Sequence, residues 1–180
     1  MSFGFKEWTL ICDALGSGRQ SIILRKGGIA EGHAGFRFQH EDFLLFPTLF
    51  HEQVSKLKLP PEATLPNLPA DGNYEIRFRA HVEWTRDITD LTVVQRLAEF
   101  HLWRDEVIEE RFRYDEKQGI SLAFVRISKL TPPHAFPDAP RYGGCRSWVE
   151  LPNVDVGSLS EPVLPEREHR RREAEILAHL

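Results

Sequence analysis

Between residues 74 and 84 the chain alternates apolar and polar side chains without a break. Tyr74, Ile76, Phe78, Ala80, Val82 and Trp84 occupy every second position, and Glu75, Arg77, Arg79, His81 and Glu83 stand between them. Successive side chains of a strand point to opposite faces, so period two puts all six apolar groups on one side of a sheet. A helix would scatter the same rings around its circumference. The segment predicts a long strand with one buried face. The rest of the chain must supply neighbours and a cover for it.

Residues 120–127 (ISLAFVRI) predict a second central strand, apolar enough to be buried on both faces for part of its length. Residues 20–25 (QSIILR) predict a third, ended by Gly27-Gly28, and residues 43–46 a fourth, stopped by Pro47. Residues 147–151 read as a last short strand. Trp8, Ile11, Cys12 and Leu15 follow helical spacing and predict a helix over 6–15, with a strand over 8–12 as the competing reading. Gly16 stands where a left-handed cap would sit. Asp90 is a good N-cap for a helix over 90–103 that covers one sheet face. Residues 48–56 could hold a helix after Pro47, and 106–114 fit helix or strand. Prolines at 60, 61, 66 and 69 make 57–73 a loop, and those at 132, 133, 137 and 140 break up the segment after 127. These elements imply an α+β fold. A mixed or mainly antiparallel sheet, or one partly closed into a barrel, packs with two or three helices. Residues 1–152 form a single domain, and 153–180 form an extended tail and a C-terminal helix.

A chain of 180 residues can bury roughly 70% of its unfolded surface, so it needs no metal or disulfide staple. Its net charge of −4 gives no global pull toward nucleic acid or an anionic membrane, yet 23 basic residues leave room for a local basic patch. Cys12 and Cys145 lack zinc spacing and read as reduced thiols. The N-terminal residues do not resemble a secretory signal, and no window approaches the ~18 uninterrupted apolar residues of a membrane helix. The expected setting is cytoplasmic, with no membrane partner. No cofactor and no oligomeric state can be assigned.

Chemistry-bearing residues concentrate between Gly16 and Gln53. Arg19, Gln20, Arg25, Lys26, Gly27 and Gly28 combine cations with backbone N–H groups, which together can hold phosphate or carboxylate. The GSGR stretch lacks the ending of a nucleotide-binding P-loop. His40, Glu41, His51 and Glu52 flank the FLLFP run and offer imidazole and carboxylate for acid–base work. They lack the His-x-x-x-His or Cys-x-x-Cys spacing of a metal site, so no metal ligands are assigned. Arg77, Arg79 and His81 share the outward face of the long strand with Glu75 and Glu83, as a solvated face would. Cys145 beside Arg146 reads as an exposed thiol or a turn residue. The C-terminal arginines alternate with glutamates and read as a solvated helix.

The segments EWTLICDALGSGRQSIILRKGGI, FLLFPTLFHEQ, HLW…ERFRY and YGGCRSWVEL together resemble a bacterial family catalogued as domain of unknown function 1802. The resemblance covers about residues 6–151 and implies no established activity. Some members lie in restriction–modification-type regions, which implies a context in nucleic-acid metabolism or defence and assigns no residue. Two functions are therefore expected. One is a binding or accessory module with a cleft for an anionic ligand or nucleic acid, built on Arg19, Gln20, Arg25, Lys26 and the adjacent glycines. The other is an enzyme acting on nucleic acid or nucleotide through His40, Glu41, His51 and Glu52.

Overall fold

The computed structural model describes residues 2–26, 36–65, 72–152 and 160–180. In chain order the elements are β1 (Ser2–Trp8), α1 (Thr9–Gly16), β2 (Ile22–Arg25), β3 (Asp42–Thr48), α2 (Gln53–Lys56), β4 (Asn73–Ile88), α3 (Leu91–Arg96), α4 (Asp105–Phe112), β5 (Ile120–Pro137), β6 (Trp148–Leu151), β7 (Ser160–Pro162) and α5 (Glu166–Ala178). The strands form one mixed sheet in the order β2-β5-β4-β3-β1-β6, with β7 beside β5. β1 and β3 run parallel, and the other pairings are antiparallel. β4 and β5 occupy interior places, as expected. The path is open, so the barrel arrangement does not form: β2 and β6 end the sheet without backbone pairing to each other. A side chain spans that seam instead, where Arg25 Nη2 donates to Ser147 Oγ at 3.3 Å.

Two irregularities shape the long β4–β5 ladder. Ile76 pairs with His134 but Phe78 with Lys129, so β5 carries extra residues there. Pro132 and Pro133 fall inside that irregularity, where a missing N–H costs no ladder bond. This is why β5 runs on to Pro137 although its prolines predicted a break. The second irregularity lies between Val82 and Trp84, which pair with Val125 and Phe124. The extra residue is Glu83, and the bulge ends strict alternation there. Glu83 instead meets Arg126 Nε at 2.7 Å and His169 Nε2 at 3.4 Å.

β3 explains its unbroken apolar sequence. Phe43 and Leu45 join the main core with Phe5, Ile11, Leu15 and Phe124. Leu44 and Phe46 face a second cluster with Ile76, Phe136, Tyr142 and Val149. The strand is buried on both faces, and Pro47 does not end it, since β3 continues to Thr48.

The expected N-terminal helix has the right face and a late start. Ile11, Cys12 and Leu15 are buried as their spacing predicts, but residues through Trp8 are strand. Parallel pairing to β3 and antiparallel pairing to β6 hold them extended. Gly16 lies inside α1, and the left-handed residue is Gly18, at φ 72°. Asp90 caps α3 by accepting from the Thr92 N–H at 2.8 Å. That helix stops at Arg96 rather than reaching 103, because residues 102–104 are drawn into pairing with the 56–58 segment. Lys58 N–H donates to Leu102 O, and Arg104 N–H donates to Lys56 O. Beyond residue 160, β7 pairs with β5 and α5 buries Ile176 in the main core. Trp84 Nε1 donates to Glu173 at 2.9 Å. Among the described residues, no helix is long and apolar enough to cross a membrane.

Two predictions test this packing. A Cβ on Gly16 would overlap the Phe78 ring, so Gly16→Ala should cost about 1–3 kcal/mol by overpacking. An unchanged urea midpoint would contradict that contact. His101 is 5% exposed, and neither ring nitrogen has a well-aligned hydrogen-bond partner. Burial, helped by Lys58, lowers its pKa from 6.5 to about 3, with Asp105 and the Trp103 backbone opposing. Below pH 6.5 the unfolded chain therefore takes a proton that the folded one refuses. His101 should remove about 1.4 kcal/mol of stability per pH unit as pH falls from 6.5 toward 3. Urea unfolding at pH 7 and pH 5 should show a steeper loss for the wild type than for His101→Gln. Equal slopes would contradict the burial argument.

Candidate functional site

The open seam of the sheet is lined by residues from five parts of the chain. Lys6 and Trp8 stand two apart on β1 and share a face, opposite Phe5 and Glu7. Thr48, Leu49 and Phe50 follow from the end of β3, and Arg25 and Lys26 from the end of β2. α4 adds Arg111, with Tyr114 just beyond it, and the turn before β6 adds residues 144–147. Together they enclose a cleft of about 530 Å³. Its lining carries five cations, Lys6, Arg25, Lys26, Arg111 and Arg146, and no carboxylate.

Those cations are held in place and crowd one another. Lys6 Nζ donates to the carbonyls of Tyr142 and Gly144, each at 2.8 Å. Burial lowers its pKa first, and Arg146 and Arg25 push it further down against an opposing effect of Cys145. The Arg111 guanidinium lies 3.7 Å from the Trp103 ring centre and 5.4 Å from that of Trp8. Burial among those rings lowers it to about 10, with Glu7 opposing and Arg25 adding, so it stays charged at neutral pH. Arg25 sits 5.2 Å over the Phe5 ring and 3.7 Å from Glu7 Oε2. Glu7 is 1% exposed; its Oε1 accepts from the Trp8 N–H, while Oε2 makes no hydrogen bond. Lys26 Nζ donates to Lys117 O at 2.6 Å and pairs with Asp115 at 2.9 Å. Among the described residues, no carboxylate reaches ion-pair distance of Lys6, Arg111 or Arg146.

Of the residues the sequence singles out for anion binding, Arg25 and Lys26 lie in this cleft. Gly27 and Gly28 lie outside the described residues. Arg19 is exposed and donates to Ser17 Oγ at 3.2 Å. Gln20 is buried as a brace, donating to Ile22 O and accepting from the Leu102 N–H. The imidazole and carboxylate group is not drawn together by any described contact. His40 stacks on Phe3 at 3.7 Å and meets Trp148 edge-on. Glu41 is exposed, and its backbone carbonyl accepts from the Val82 N–H. The His51 side chain is 85% exposed beside Glu52, which also pairs with Lys56. Among the described residues no group of three or more His, Cys, Asp or Glu is placed to hold a metal ion. The outward face of β4 is internally neutralised: Arg77 pairs with Asp13, and Arg79 and His81 with Asp42 at 2.6 and 3.2 Å. Burial would raise Asp42, but the hydrogen bonds from Arg79 and His81 hold its carboxyl below the usual range.

Lys6, Trp8, Phe50, Arg111 and Tyr114 join the cleft although no local motif marks them as site residues. The signal available for Lys6 and Trp8 was their two-residue spacing on a strand, which the expected helix hid. Cys12 and Cys145 are both free, the first buried and the second exposed beside Arg146 in the cleft lining.

Solved structures of ASCH from Zymomonas mobilis are similar to this chain. A tyrosine-to-phenylalanine variant aligns over 96% of this chain and 96% of that one, with a TM-score of 0.51 and 9% identity. The protein titled simply ASCH aligns over 69% of this chain and 66% of that one, with a TM-score of 0.43 and 9% identity. At such identity the likeness is one of fold alone. No curated protein matches the sequence. The family described as Domain of unknown function (DUF1802) matches residues 4–175, past the expected limit at 151 and into α5. The chain belongs to that family.

Proposed function

We propose that this protein binds single-stranded nucleic acid through the cationic cleft at the seam of its sheet. The observation that carries the reading is the convergence of five cations, with no lining carboxylate, beside the rings of Trp8, Phe50 and Tyr114. The whole chain is acidic, so its average composition does not account for such a concentration. Single-strand binding needs both halves of that set. Cations track phosphates, and ring faces take bases at ~1–3 kcal/mol each. Tyr114 is 61% exposed and Leu49 38% exposed, so apolar surface is already presented at the cleft.

The chemistry follows from the geometry. The Arg25 guanidinium, braced from behind by Glu7, offers a fork of donors to a phosphate. Lys6 and Arg146 repel each other across the cleft, and a bound anion would offset that repulsion. We assign this activity to the cytoplasm, where Cys12 and Cys145 persist as thiols.

The double variant Lys26→Ala/Arg146→Ala alters one half-buried and one exposed position and spares the Arg25–Glu7 pair. It should lower affinity for a labelled hexacytidylate more than tenfold. The slope of log K against log salt should become shallower by ~1.4, at about 0.7 per lost single-strand phosphate contact. Arg79→Ala, on the neutralised face of β4, should change neither. Equal binding by the cleft variant, or a loss confined to Arg79→Ala, would contradict the assignment.

A further inference from the structure

The cleft does not end at Lys26. A second cavity of about 270 Å³ adjoins it, and Arg25 and Lys26 line both. The two chambers differ in chemistry. The second adds Arg37 and Lys117 but also carries Asp87 and Asp115. Asp87 Oδ1 accepts from Ser121 Oγ at 2.6 Å, and Asp115 holds Lys26. Lys26, tied also to the Lys117 carbonyl, is fixed on the boundary between the chambers.

A phosphate meets no carboxylate among the lining of the first chamber, whereas Asp115 already holds Lys26 at the boundary and Asp87 and Asp115 offset Arg37 and Lys117 in the second. Those carboxylates suit an uncharged nucleoside, because they accept hydrogen bonds from base amino groups such as cytosine N4. We propose that the ligand is a single strand of at least two nucleotides. One phosphate lies on the Arg25–Lys26 boundary, one nucleoside stacks in the first chamber, and the adjoining nucleoside enters the second. This inference rests on the nucleic-acid reading above and adds the length of the ligand and its path.

The test compares cytidine 5′-monophosphate, the 5′-phosphorylated dicytidylate and a hexacytidylate by isothermal titration against the full chain. The dinucleotide should bind about tenfold tighter than the mononucleotide, the gain that one further held base brings. Thr89→Trp, at an exposed position lining the second chamber, should fill it. It should reduce dinucleotide affinity to the mononucleotide level and leave the mononucleotide within twofold of wild type. Asp87→Ala, which removes an acceptor for the base amino group and needs no extra room, should act in the same direction. Equal affinity for the mononucleotide and dinucleotide would overturn the inference. So would chamber variants that affect both probes alike or neither. If mononucleotide binding is lost in Lys26→Ala/Arg146→Ala but gains nothing from a second nucleotide, only this inference falls. If the wild type binds none of the three probes, the nucleic-acid reading falls and takes this inference with it.

Discussion

A buried carboxylate under a gap in the sheet organises this molecule. Glu7 lies at the end of β1 with one oxygen on the Trp8 N–H and the other facing Arg25. Removing a carboxylate from water costs several kcal/mol unless a cation answers it. Arg25 and the nearby Arg111 supply that answer. The pairing works across the seam, because Arg25 comes from β2 at one end of the sheet and Glu7 from β1 near the other. Arg25 then reaches Ser147 in front of β6. The sheet is curled far enough for its ends to meet through side chains, while its backbone edges stay apart. The space left between them is the cleft.

The same arrangement explains why the cleft is so cationic. Glu7 is spent inward and is not part of the lining, so it anchors guanidinium groups without neutralising the surface they present. Arg111 lies against Trp103 and close to Trp8, which fixes its plane and lowers its hydration. Lys6 is held by two backbone carbonyls rather than by a carboxylate. On β4 and β5, arginines are paired locally with carboxylates, as at Arg79–Asp42 and Arg126–Glu83. At the seam, by contrast, five cations line one cleft with no carboxylate among the lining residues, although the chain as a whole is acidic.

The strands were legible because period two survives in the sequence wherever one face is buried, as between Tyr74 and Val82. The doubly buried β3 was legible as an apolar run. The errors came where pairing overrode local preference. Prolines 132 and 133 sit in a ladder irregularity that no local rule places, and the residues up to Trp8 are strand because β3 and β6 hold them on either side. Of the site, Arg25 and Lys26 could be picked out because they end a strand beside glycines. Lys6, Arg111 and Arg146 could not, since they are far apart in sequence and meet only through the curl of the sheet. Arg19 and Gln20 looked equivalent to Arg25 by proximity, but Gln20 points into the fold and Arg19 toward Ser17.

The most direct measurement follows the indole N–H signals of the four tryptophans by nitrogen-edited NMR while hexacytidylate is added. Trp8 lines the cleft and Trp103 lies under Arg111, whereas Trp84 is bonded to Glu173 beneath α5. The account predicts saturable shifts of Trp8 and Trp103 with Trp84 unmoved. A shift of Trp84 with Trp8 unmoved, or no saturable shift of Trp8 and Trp103, would contradict it.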